Sequence, residues 1–430
     1  MTPSAPSPDE LIQRYLEPVA GLGVPRPRYD GFSIANLPVS VLRAVGGQTT
    51  GIPELSPPLG PEIDPFQGGS APGPVVVVLL DGFGWFPFVR WGHGSTVPAA
   101  SRWLEHASPI TTVFPTTTSC ALTSLSTGAT PSVHGLVGYR QYLPRYGVVA
   151  DMLKMSIVGS TGRDELVGPH WTPSLVSGCP SIFRRGMKAT ALSRDRFAGQ
   201  GFTRILYDGA TFVGYSTLTD LGHELTRILT QPSPPPVTYV YWDELDTIQH
   251  LKGPRPELID FELDQFARVL SFVRAQLPPD LAARTTVLIT GDHGQVPSSR
   301  EASIALDLDP AIVPHLARPL AGDRRSGFLV ARPGHLEALN EALHARLPPG
   351  SRIIPMEAAV SGGLFGPPPY HPELNERLGD LLVLVPSPAG LTYLPPGAAL
   401  PTRYLLGAHG GLEPDELIVP LVAGSLSDIV

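Results

Sequence analysis

Two cysteines in 430 residues, Cys120 and Cys179 in unrelated contexts, leave no material for a disulfide framework or a cysteine metal cluster. Charge is scarce too: charged residues make up 16% of the chain, no lysine or arginine cluster appears, and the net charge is −8. Nucleic acid polymers and anionic membrane surfaces recruit basic patches, so neither is expected as a partner. No apolar run approaches the roughly 20 residues of a membrane span. The opening "MTPSAPSPDELIQRYLEPVAGLG" lacks the basic stretch and apolar core of a secretory signal. A reducing, cytoplasmic location is the expectation, and no internal repeat is visible.

Proline and glycine, by contrast, are abundant, at 50 and 45 residues. Half of the residues from Pro53 to Pro74 are one or the other, which reads as a linker (53–74) between an N-terminal helical segment (1–52) and a catalytic domain (75–430). That domain opens on "VVVVLLDG", an apolar run from Val75 to Leu80 that ends in Asp81. A strand buried on both faces looks like this, the habit of a parallel sheet covered by helices. "VTYVYWDELD" from Val237 and "TTVLITGDHG" from Thr285 repeat the design. Between them, "PELIDFELDQFARVLSFVRAQL" carries apolar residues at helical spacing and predicts a helix packed on the sheet. The fold class is therefore α/β, a mostly parallel central sheet with helices on both faces. Loop-rich insertions around 142–236 and 297–402 are expected to cap it.

In open α/β sheets the loops at the carboxyl ends of the strands build the site, which draws Asp81, Asp246 and Asp292 toward one crevice. Singly, each acid reads as readily as a helix cap; three strand ends sharing the feature favour the crevice. Three histidines keep them company. His250 follows Asp246 by four residues, one helical turn, His293 adjoins Asp292, and His409 lies among small residues in "GAHGG". Three carboxylates and three imidazoles make a mixed oxygen and nitrogen set suited to two Zn²⁺ or Mn²⁺ ions, and such pairs usually serve phosphoryl chemistry. A nucleophile is still needed. The stretch "VFPTTTSCALTSLSTGATPSVHG" crowds hydroxyls before and into a helix, and a threonine at that helix N-terminus would sit where free N–H groups receive a phosphate.

With these motifs in view, the sequence resembles the alkaline phosphatase superfamily and, within it, the type I phosphodiesterase/nucleotide pyrophosphatase family. The family's Asp-Gly strand end, its "P-T-x-T" and its "T-G-x-x-P-x-x-H-G" are matched by "DG" at Asp81 and by "FPTTTSCALTSLSTGATPSVHG" without a gap. Its Asp-x-x-x-His before Gly-Pro falls on Asp246, His250, Gly253 and Pro254, its Asp-His-Gly on Asp292 to Gly294, and its late His-Gly on His409 and Gly410. The resemblance implies Thr118 as nucleophile, one zinc held by Asp81, Thr118, Asp292 and His293, and the other by Asp246, His250 and His409. It implies His134 as part of a structural His-Gly rather than a ligand. The chain departs from many nucleotide pyrophosphatases at Ala121, where they carry an asparagine that donates to a phosphate oxygen. Cys120 lacks the Cys-x-Pro-x-Arg context of sulfatases.

The function so implied is hydrolysis of a phosphodiester or pyrophosphate bond in a small-molecule, nucleotide-type substrate through a phosphothreonine. The alternatives are a phosphomonoesterase or phosphonate hydrolase of the same superfamily, and a silent nucleotide-binding protein, which a lost ligand or nucleophile would have favoured. Charge decides between esters. Two divalent ions and three aspartates leave one net positive charge, which suits a monoanionic diester. Arg140, Arg163, Arg184 or Arg185 would tip the balance by folding over the site.

Overall fold

All six residues of the strand Val75–Leu80 are buried. In the computed structural model, which describes residues 7–306, 308–392 and 404–430, they alternate between two cores. Val76, Val78 and Leu80 join Phe88, Leu221 and Phe266; Val75, Val77 and Leu79 join Leu42, Leu125 and Ile205. A strand apolar on both sides needs helices on both sides. Trp85–Gly94, Leu218–Leu229 and Pro256–Gln276 cover one face, and Leu37–Ala44, Thr118–Thr127 and Gly201–Leu206 the other.

The central sheet has seven strands, ordered Ala107–Thr111, Ile418–Ser425, Thr286–Gly291, Val75–Leu80, Val237–Trp242, Ala189–Arg194, Thr211–Tyr215. Pairing is parallel from Thr286–Gly291 across to Thr211–Tyr215, while Ile418–Ser425 runs antiparallel to both its neighbours. Leu80 stands opposite both Trp242 and Gly291. That register brings the segments following three strands to one edge of the sheet, the carboxyl edge where α/β folds place their chemistry.

A second seven-stranded sheet, wholly antiparallel in its pairings, joins Arg140–Leu143, Val148–Asp151 and Ser156–Ile157 to Ala321–Gly322, Ser326–Leu329, Leu381–Leu384 and Arg352–Pro355. Parts of the two expected insertions thus form one layer. The expectation for 142–236 needs correction in its second half: Ala189–Arg194 and Thr211–Tyr215 belong to the central sheet, with the helix Leu218–Leu229 packed beside them. "ATALSR" and "TFVGY" mix polar and small residues, so they lack the apolar run that announced the other strands. Of the 297–402 stretch, residues 307 and 393–402 lie outside the described residues.

The N-terminal residues pack onto the same core. Ile34 N–H donates to Thr111 and Thr111 N–H to Phe32, which extends the sheet edge. Seven residues of Leu37–Ala44 are buried. Residues 53–74 form turns and coil, as their composition dictates, yet Leu59 and Phe66 are buried and Asp64 pairs with Arg43 at 2.6 Å. Among the described residues no helix is long and apolar enough to cross a membrane.

Candidate metal centre

Asp81 follows its strand directly, and Gly82 turns the chain with φ +75°. A Cβ on Gly82 would lie 3.0 Å from the Asp246 backbone, so only glycine lets the two acidic segments approach this closely. Asp292 accepts the N–H groups of Gly82 and His293 on Oδ1, each at 2.9 Å, and its Oδ2 has no partner. Asp81 accepts the Tyr241 hydroxyl on Oδ2 and its Oδ1 likewise has no partner. His293 Nε2 stands 3.3 Å from Asp292 Oδ2, 3.6 Å from Asp81 Oδ1 and 3.2 Å from Thr118 Oγ1.

The helix Glu244–Lys252 puts Asp246 and His250 one turn apart, with His250 Nε2 3.3 Å from Asp246 Oδ1. His409 arrives from the loop after Gly407–Ala408, its Nε2 3.2 Å from His250 Nε2 and its ring stacked on His293 at 3.8 Å. Carbonyls only accept, so the contacts of His250 Nδ1 with Gly407 O (2.8 Å) and of His409 Nδ1 with Thr116 O (2.9 Å) fix those protons on Nδ1. Both Nε2 lone pairs then face each other, an arrangement a shared cation relieves. Ligand atoms of Asp81, Asp292 and His293 lie within 4.8 Å of one another, and so do those of Asp246, His293 and His409. All seven residues predicted from sequence are therefore at one place.

Burial and mutual repulsion set the electrostatics. Desolvation, then the charges of Asp292 and Asp246, push Asp81 well above the ordinary carboxylate range, and desolvation also raises Asp246 and Asp292. Desolvation lowers His293, and His409 further, where the neighbouring imidazoles add to it. Like charges roughly 4 Å apart repel by about 4 kcal/mol at a protein-surface dielectric. Metal-free, the cluster sheds this cost by taking protons; a divalent cation removes it outright. The orphaned oxygens, paired lone pairs and mixed donor set fit two such ions. Saturation at 100 times Kd should raise Tm by about 3 °C per ion, measured by differential scanning with and without chelator. Metal binding should weaken as pH falls, starting above the usual carboxylate range, because the raised acids take up protons first.

The crowded hydroxyls divide by partner, except that of Thr117, which is buried and has none. Thr116 Oγ1 donates to Gly411 O and accepts Gly410 N–H, which shapes the His409 loop. Ser119, Thr123, Ser126 and Thr127 donate to backbone carbonyls, Ser124 meets His134 at 2.9 Å, and Thr130 meets Ser132. Thr118 alone in the stretch reaches the cluster, from the first turn of the helix Thr118–Thr127. His134 is fully buried on Ser124, away from the cluster ligands.

Three neighbours were not singled out from the sequence. Tyr241 bonds Asp81, Gln295 bonds Asp246 Oδ1, and Asp323, on the hairpin between Ala321–Gly322 and Ser326–Leu329, reaches within 3.9 Å of His409 Nδ1. Gly410 makes room for Asp323, since a Cβ there would lie 2.6 Å from the Asp323 Cβ. A period-2 reading of "VTYVYW" places Tyr241 on one sheet face, the only available sequence signal.

A family model described as type I phosphodiesterase/nucleotide pyrophosphatase matches residues 75–411. Among solved structures, murine ectonucleotide pyrophosphatase/phosphodiesterase 5 is similar with a TM-score of 0.61 at 19% identity, covering 82% of this chain and 88% of that one. An inactive form of that murine protein has been solved in complex with AMP. Phosphonoacetate hydrolase from Sinorhizobium meliloti 1021, in complex with phosphonoformate, is similar with a TM-score of 0.56 at 18% identity, covering 84% and 94%. At such identities the likeness speaks for the fold. No curated protein sequence matches the chain.

Proposed function

The chain belongs to the type I phosphodiesterase/nucleotide pyrophosphatase family, hydrolases of the alkaline phosphatase superfamily, and from that premise we propose that it cleaves phosphodiester or pyrophosphate bonds in nucleotide-type substrates. Thr118 Oγ1 attacks phosphorus in line, the bond to the leaving oxygen breaks, and a phosphothreonine forms. Water then cleaves that ester, releasing the phosphoryl product and restoring the hydroxyl. The observation that best supports this reading is the solitary hydroxyl of Thr118, 3.2 Å from His293 Nε2 at the start of a helix, the end whose dipole favours a phosphoryl group.

Asp81, Thr118, Asp292 and His293 would hold one divalent ion, and Asp246, His250 and His409 the other, with zinc as the ion of choice for this donor set. When bound, the pair supplies Lewis acidity and lowers the pKa of the attacking hydroxyl. The protein's own share is orientation: the Nδ1 bonds of His250 and His409 aim their Nε2 atoms, and the Thr118 helix aims its hydroxyl.

Elemental analysis tests the assignment. Wild type is expected to hold two divalent ions and to need both for turnover, and Asp246→Ala and His409→Ala to hold fewer. Unchanged stoichiometry in both variants would show the ligand assignment to be wrong. A panel of chromogenic mono- and diesters, with and without added Zn²⁺ or Mn²⁺, separates this reading from a phosphonate hydrolase or monoesterase.

A further inference from the structure

We infer that Tyr241 and Gln295 are positioning residues for the metal pair, one to each side: Tyr241 fixes the Asp81 carboxylate, and Gln295 fixes that of Asp246. The inference rests on the two-ion reading above and adds the groups that hold the ligands still.

A free carboxylate rotates and offers a metal either oxygen or both. At Asp81 that freedom is gone. Tyr241, buried on the neighbouring strand Val237–Trp242 opposite Leu79, donates its hydroxyl to Oδ2 and leaves Oδ1 facing His293 without a partner. The ring is held by packing, with Phe197 against it at 6.2 Å. At Asp246 the donor sits on the ligand-facing oxygen itself: Gln295 Nε2 donates to Oδ1, the oxygen 3.3 Å from His250 Nε2, and, at 3.2 Å, to the Asp246 backbone oxygen, which fixes the carboxylate and leaves Oδ1 a further lone pair.

The Gln295 side chain occupies a place built for it. It is 5% exposed, and a Cβ on Gly407 would lie 2.2 Å from its Oε1, so the strand that leads to His409 keeps a glycine where the amide passes. Val296–Pro297, next in the chain, pairs with Gly407–Ala408. Gln295 therefore joins the Asp292–His293 segment to the Asp246 helix beside the His409 loop. Both donors are neutral, and this matters. An arginine or lysine would orient a carboxylate equally well but would also cancel the charge that attracts the cation. Tyrosine and glutamine orient without competing.

The test titrates Zn²⁺ into metal-free wild type, Tyr241→Phe and Gln295→Leu against a chromophoric chelator, alongside kcat at limiting and saturating Zn²⁺. Tyr241→Phe should weaken one ion by about 10- to 100-fold and leave the other within about threefold, and Gln295→Leu should weaken the opposite one. Saturating Zn²⁺ should restore most of kcat in both. Adding Tyr241→Phe to Asp81→Ala should bring no further loss of affinity, since the phenol acts through that carboxylate. Unchanged affinities, equal weakening of both ions in each variant, or a kcat deficit that saturating Zn²⁺ leaves in place would overturn the inference while the two-ion reading stands. Failure of wild type to bind two ions would instead overturn the reading itself, and the inference with it.

Discussion

Thr118→Ala is expected to lower kcat by at least ~10³-fold while the fold stays close to wild type, the scale of loss when a nucleophile is removed. The residue is buried at the start of its helix, and its hydroxyl contacts His293 rather than a carbonyl, so alanine removes no structural bond of the helix. Thr118→Ser should retain part of the activity, because a primary hydroxyl still reaches phosphorus. Its neighbours serve as internal controls. Thr116→Ala loses bonds to Gly410 and Gly411 and should cost about 1–3 kcal/mol of stability, yet its backbone carbonyl still holds His409. The buried Thr117 hydroxyl has no hydrogen-bond partner, so Thr117→Ala removes no bond. Rapid-quench detection of a phosphothreonine with labelled substrate reads the intermediate directly. Near-normal turnover in Thr118→Ala, or inactivation only by Thr117→Ala, would move the nucleophile or end the covalent mechanism.

Why these residues were legible from sequence, and others not, has a physical cause. Asp81 and Asp292 end strands so apolar that their polarity stood out, and parallel pairing dictates that such ends converge. Asp246 and His250 showed themselves by helical spacing. The hydroxyl stretch pointed at a nucleophile, although selecting Thr118 from its neighbours took the family resemblance. Tyr241 was hidden because an inward tyrosine in a buried strand is ordinarily packing, and nothing local says that a carboxylate lies one strand away. Gln295 and Asp323 are turn and loop residues whose partners are more than 40 positions distant. Ala189–Arg194 was missed for the opposite reason. It is fully buried, yet its Thr, Ser and Arg side chains break the apolar pattern, and Arg194 is stabilised there by Asp243 at 2.9 Å.

Diesters should be preferred to monoesters by on the order of 10²-fold in kcat/KM, once the intrinsic reactivity of each ester is allowed for. The basis is the charge facing the phosphoryl group. Two divalent ions exceed Asp81, Asp246 and Asp292 by one positive charge. Of the four arginines that would tip the balance by folding over the site, three have partners of their own: Arg163 bonds Leu153 O and Gln200, Arg184 pairs with Asp208, and Arg140 pairs with Asp151 at 3.5 Å. The cap hairpin adds a carboxylate and a cation together. Asp323 is largely buried with Oδ2 unpartnered, and Arg324, laid over the Tyr404 ring at 4.5 Å, is near enough for its charge to act on His409 and Asp323. Their charges cancel and leave the single excess intact, enough for the one negative charge of a diester and short of the second on a monoester. One unbalanced unit charge at about 5 Å, in an effective dielectric near 20, is worth about 3 kcal/mol, which is the hundredfold expected. Asp323→Asn removes the negative partner, so it should raise p-nitrophenyl phosphate turnover relative to bis(p-nitrophenyl) phosphate, and Arg324→Gln should move the ratio the other way. Ala121 lacks a neutral donor for either ester and leaves the ratio alone. A wild-type preference for the monoester would sink the diesterase reading and make Arg324 the cation that holds the second charge.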